Sequence, residues 1–164
     1  MVRTLHDVAA SRVDVPEDPE DPAVDAAIRA SLAATPAEAW AELRDALDGV
    51  EPLGPDGYAS WAQGGPDADG VVHLGWPTYA PEVERLRSAV AAAGLLVPCA
   101  WPQWTGIERY RTGTGMDAAP VEDAVRMVTA VIRSERFGDG SIEGALRDGT
   151  LQAAVRRTLT WATG

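Results

Sequence analysis

The sequence predicts an α+β fold: a small, mainly antiparallel sheet covered by helices, with a C-terminal helical cap. Three observations predict it. Apolar residues recur at three- and four-residue spacing in several segments that open on Pro or Thr. Two short β-type segments flank a glycine- and aspartate-rich stretch. The chain has 164 residues, 46% of them hydrophobic, enough for one core without disulfide or metal staples.

Residues 1–34 read as an acidic, Pro-rich and weakly ordered lead-in with room for one short helix, and 35–164 as a single α+β domain. Asp14 to Pro22 places a proline at every third position, which forbids a helix and favours an extended chain. Val24, Ile28 and Leu32 then predict a short helix over about 24–33. Thr35-Pro-Ala-Glu38 has the form of a capping box with proline at the first helical position. Trp40, Leu43, Leu47 and Val50 give helix 36–49 its inner face.

Strands are expected at 58–63 and 71–76, joined by the turn residues Gly64 to Gly70. Alternation along the second places Val72, Leu74 and Trp76 on one face, Val71 and His73 on the other. Pro81 opens a helix with Val83, Leu86 and Val90 inward and Gly94 as its stop. Leu95-Leu-Val-Pro98 reads as the third strand that a two-stranded hairpin needs. From Pro120, Val121, Ala124, Val125, Val128, Val131 and Ile132 form a near-continuous core stripe to Glu135. Gly138 and Gly140 break it. Helices at 141–147 and 151–162 follow, the last with Leu151, Val155 and Leu159 on one side.

Charge is uneven. Twenty-five acids oppose fourteen basic residues, all of them arginine, for a net charge of −11. Residues 1–82 carry −12 and residues 83–164 carry +1. No basic stripe is available to displace counterions, so bulk nucleic-acid binding is not expected. No apolar run reaches the roughly 18 residues of a membrane span. The first residues lack a secretion-signal pattern. A single cysteine excludes an internal disulfide and fits a cytoplasmic protein.

Nucleotide, zinc-protease and hydrolase motifs are absent, so no cofactor and no metal site is expected. His6, His73 and Cys99 are the only soft ligands. Cys99, between Val97 and Trp101, reads as a packing thiol, although His73 could activate it if the sheet brought the two together. Trp101, Trp104 and Tyr110 could stack a ring, with Arg109 and Arg111 holding a phosphate; the simpler reading makes the tryptophans a cover for the sheet.

The most distinctive string is Arg133-Ser-Glu-Arg-Phe-Gly-Asp-Gly-Ser-Ile142. Chemically, Glu135 could be a general base, Arg136 an anion ligand and Asp139 an orienting group. Structurally, Arg136 would pair with a carboxylate, Phe137 would plug the core, and Asp139 or Ser141 would cap the next helix. With Ala145-Leu-Arg-Asp-Gly-Thr-Leu151, Trp161 and the upstream Val97-Pro-Cys-Ala-Trp-Pro-Gln-Trp104, this string resembles a bacterial, largely actinobacterial family classed as a domain of unknown function. Its mark is the pattern ERF-x-DG-x-I, and the resemblance spans about residues 36–162. It implies no activity and transfers no catalytic residue.

The sequence therefore favours a non-enzymatic cytoplasmic module that binds a protein or a small ligand, with an apolar helix face available for a homodimer. The alternative is a small enzyme for an anionic or nucleotide-like ligand, built from Trp101 or Trp104 with Glu135, Arg136 and Asp139.

Overall fold

The computed structural model describes residues 18–73 and 75–164. Most of the proline-rich lead-in, His6, Leu74 and the His73 side chain, and with them the expected Cys99–His73 pairing, lie outside the described part.

The fold is α+β, and helix dominates. Seven α-helices run α1 Pro22–Ala34, α2 Ala37–Val50, α3 Pro81–Ala92, α4 Gly106–Arg109, α5 Val121–Ser134, α6 Ser141–Arg147 and α7 Thr150–Thr163. Four short strands, β1 Ala59–Trp61, β2 Gly65–Pro66, β3 Val72–His73 and β4 Pro77–Tyr79, lie between α2 and α3. α2 packs on α3, and α5 packs on α6 and α7.

α1 starts where Asp21 accepts a hydrogen bond from Ala23 N at 2.7 Å, with Pro22 in its first turn. Its Val24, Ile28 and Leu32 are buried in the common core. The expected capping box at Thr35 does not form. Pro36 is the N-cap of α2, and the Thr35 hydroxyl donates instead to Ser31 O and Ala93 O, tying α1 to the end of α3. Gly94 stops α3 at φ +70°; a side chain there would collide with Ser31 Oγ.

The strands form one interrupted hairpin. β1 pairs antiparallel with β4, matching Ser60 to Thr78, and β2 pairs with β3 further out. The turn between them is held by Asp67, whose carboxylate accepts from Asp69 N and Val71 N. The pairing thus reaches Tyr79, past the expected end at Trp76.

Residues 95–98 are not a third strand. Leu95, Val97 and Cys99 are buried while Pro98 is exposed, the in-and-out alternation of a strand. Their backbone is tied to a side chain instead: Thr129 on α5, fully buried, donates to Leu95 O at 2.9 Å and accepts from Val97 N at 3.2 Å. A neighbouring strand would have to occupy the place of α5.

Thr129→Val keeps the shape and orphans a buried N–H and a buried C=O. Urea unfolding should show a loss of about 2–6 kcal/mol, from roughly 1–3 for each unsatisfied group. Thr158→Val, which removes only a bond within α7 from Thr158 to Val155 O, should cost about 1 kcal/mol or less. Equal costs would show that the hydroxyl is no tether.

Candidate functional site

The α5–α6 corner is built by its own acids. α5 ends at Ser134, and the next residue, Glu135, folds its carboxylate over the N-terminus of α6. Oε1 accepts from Gly140 N at 3.0 Å and from the Tyr79 hydroxyl at 2.6 Å; Oε2 accepts from Ile142 N at 3.0 Å. The cap of α6 therefore comes from the preceding helix, where the sequence pointed to Asp139 or Ser141. A carboxylate at a helix N-terminus satisfies orphan N–H groups and sits in a favourable dipole field.

The β1–β4 ribbon lies over this corner. Trp61 Nε1 donates to Glu143 Oε2 at 2.6 Å, while Arg147 holds Glu143 Oε1 through Nε and Nη2 at 3.0 and 2.8 Å. Gly140 has φ +88° and the Trp61 ring against it, 2.7 Å from where a Cβ would stand. Only glycine meets both demands. Burial, followed by the bond to Glu135, pushes the Tyr79 phenol well above its ordinary value.

The string splits into two sets. Glu135, Gly140 and Ile142 make the corner, and Ile142 is fully buried. Arg136, Phe137 and Asp139 are exposed. Phe137, the only phenylalanine in the chain, is 82% exposed; it does not plug the core. It forgoes the roughly 1.5–3 kcal/mol that burying such a ring brings. Its ring centroid is 6.1 Å from that of half-buried Trp101.

Arg136 does not pair with a carboxylate. Neither it nor Arg133, one turn earlier, has an ion-pair partner among the described residues, and Arg133 Nε is buried with no hydrogen bond. Arg133 lies close enough to Cys99 to oppose the upward push that burial gives its thiol.

The stacking platform that the sequence offered as an alternative divides. Trp104 is 2% exposed, and Tyr110, 6.4 Å away ring to ring, is also buried and donates to Asp123 at 2.7 Å. Both belong to the core. Trp101 stands apart from them, on the corner. Arg109 lies 3.7 Å from Asp123 and 3.8 Å from Glu20; Arg111 pairs with Glu108 at 2.5 Å. A cleft of about 480 Å³ borders the corner at Val131 and Ser141, with Ile107 and Met127 among its apolar walls and Arg111 on its rim. Among the described residues no group of three His, Cys, Asp or Glu could hold a metal ion. No helix among them is long and apolar enough to cross a membrane.

Sequence reasoning missed Tyr79, Trp61 and Glu143 as parts of the corner, because each meets its partner across a large sequence separation. Phe137 carried the opposite signal, since a lone phenylalanine is expected inside.

The chain belongs to the family described as "Family of unknown function (DUF6508)", whose model matches residues 35–164. No curated protein and no solved structure matches the chain.

Tyr79→Phe removes one donor from Glu135 and should cost about 1–2 kcal/mol at neutral pH. The sign of the pH dependence follows from the raised phenol. The contribution is complete below the unfolded value near 10 and is lost as pH rises toward the higher folded value. Urea midpoints of wild type and Tyr79→Phe should therefore keep a constant gap up to pH about 10 and converge only above it. A gap that stayed constant well above pH about 10 would show that the fold does not hold the phenol in its protonated form.

Proposed function

We propose that this family member is a binding module that takes an anionic group carried beside an apolar one, at the corner of Arg133, Arg136, Trp101 and Phe137. The carrying observation is that two guanidiniums without carboxylate partners, Arg133 and Arg136, stand together beside two aromatic rings in a chain of net charge −11; of the other two such arginines among the described residues, Arg157 donates to Ala119 O and Arg44 stands singly on α2. Acids are in surplus, so a purely structural arginine has partners within easy reach. Phe137 and Trp101 supply the apolar contact, and guanidiniums supply planar donors suited to phosphate or carboxylate.

The same geometry favours binding over catalysis. Glu135, the strongest candidate base in the sequence, has its carboxylate occupied by three donors of the fold. An enzyme of anionic ligands would need another proton acceptor beside Arg136, and Asp139 is the one left exposed there. A cytoplasmic location agrees with the single cysteine, which is buried.

A thermal-shift panel of nucleotides, sugar phosphates, dicarboxylates and phosphotyrosine peptides tests the reading. Arg136→Gln and Phe137→Ala alter exposed side chains and should leave unliganded stability within about 0.5 kcal/mol. A ligand at about a hundred times its Kd should stabilise wild type by about 2.7 kcal/mol and each variant much less. A peptide that acts where the free anions fail identifies a protein partner. Equal stabilisation of wild type and both variants would place the site elsewhere, and turnover that Asp139→Asn abolishes would make the chain an enzyme.

A further inference from the structure

The family match begins at Thr35, one residue after α1 ends, yet α1 completes a charged site on the matched part. Arg126 projects from α5 with a side chain only 3% exposed. It has three partners: Asp25 Oδ1 at 2.5 Å, Pro19 O at 2.8 Å and Asp123 Oδ1 at 3.3 Å. Only Asp123 lies within residues 35–164. Glu122 is equally deep, at 5% side-chain exposure, and its ion-pair partner is Arg29 of α1. The matched part thus buries one cation and one anion whose principal partners come from outside it. Removing either partner would leave a buried charge largely uncompensated.

The spacing makes this a code. Asp25 and Arg29 are four residues apart on α1; Glu122 and Arg126 are four apart on α5. They pair crosswise, Asp25 with Arg126 and Arg29 with Glu122. Crosswise pairing holds only for antiparallel helices, since a parallel helix would set Asp25 against Glu122 and Arg29 against Arg126. Val24, Ile28 and Leu32, one per turn, supply the apolar contact beside the charges, at 3%, 0% and 1% exposure. Ser31 adds a hydrogen bond to Gly94 O at 2.9 Å. A free helix of α1's 13 residues is marginal in water, so the groove supplies much of its order.

We propose that residues 35–164 carry a helix-receiving groove, with Glu122 and Arg126 as its charge anchors. It accepts an amphipathic helix with three apolar residues at four-residue spacing, each of the first two followed by a charge, acidic then basic. α1 fills it in cis, and the same helix supplied in trans replaces α1 once α1 is undocked. This groove is separate from the Arg133–Phe137 corner and does not rest on the function proposed for it.

The test uses the full-length chain. Ile28→Asp undocks α1, and a fluorescein-labelled peptide of residues 18–36 is titrated against it by anisotropy. The peptide should bind the Ile28→Asp chain saturably, and bind wild type at least about tenfold more weakly because α1 already occupies the groove. A peptide with Asp25→Arg and Arg29→Glu should lose binding, and should regain it with the Ile28→Asp chain that also carries Glu122→Arg and Arg126→Glu. Loss of cooperative urea unfolding in Ile28→Asp would overturn the proposal, by showing α1 to be an inseparable part of the core. So would a folded Ile28→Asp chain that fails to bind the peptide, or that binds both charge arrangements equally.

Discussion

α5 is buried along ten consecutive residues, Val121 to Ala130, and that burial sets the terms for the rest of the fold. A helix enclosed on every side has no solvated face for polar side chains, yet this one carries Glu122, Asp123, Arg126 and Thr129. Each must find a partner inside the protein. Glu122 takes Arg29 and Arg126 takes Asp25, both from α1; Asp123 takes the Tyr110 hydroxyl; Thr129 takes the backbone at 95–97. Three separate segments are thus fixed on α5 by polar contacts as well as by packing. The absent third strand follows from this, because Thr129 already serves the backbone that a strand would have paired.

Where α5 ends, the same economy continues through Glu135. Glu135 is the C-cap residue of α5, and its carboxylate starts α6 and receives Tyr79 from the ribbon. Glu143 repeats the pattern one turn on, joining Trp61 to Arg147. Two acids of the corner, Glu135 and Glu143, are fully engaged by the fold, and Arg136 and Phe137 stand in solvent beside that bonded frame. A binding surface gains most when its supporting residues are already ordered.

Much of this was legible in the sequence, and the failures have physical causes. Helix positions followed from apolar spacing, and α2, α3, α5, α6 and α7 lie within a residue or so of their expected ends. The antiparallel hairpin and its Asp67 turn were also visible. Burial of Glu122, Asp123 and Arg126 was not, because the partners of Glu122 and Arg126 lie on α1, about a hundred residues upstream. The run 95–98 has the composition of a strand, and composition does not reveal whether a backbone partner will be another strand or a hydroxyl. Phe137 failed for the opposite reason. Hydrophobicity put it inside, and such local disagreement with the pattern is where function is usually found. At the corner the residue string stood out in the sequence, but Glu135 and Arg136 could not be told apart without the Tyr79, Gly140 and Ile142 contacts.

The lopsided charge of the sequence acquires a structural meaning here. An acid-rich first half and an arginine-rich second half become partners on folding. Arg85, Arg109, Arg126, Arg147 and Arg156 reach back to Glu42, Glu20, Asp25, Asp56 and Glu51, and Arg29 reaches forward to Glu122. Most of these pairs are exposed and contribute little stability singly. Together they distribute acids of the first half over the surface and engage half of the ten arginines of the second. Arg133, Arg136 and Arg157 are the arginines of that half without a carboxylate partner among the described residues; Arg157 donates to Ala119 O, whereas Arg133 and Arg136 stand together at one helix end beside two aromatic rings. In a folded chain that matches its charges so widely across the sequence, two unpaired cations standing together beside an exposed ring are what support the binding reading proposed for this corner.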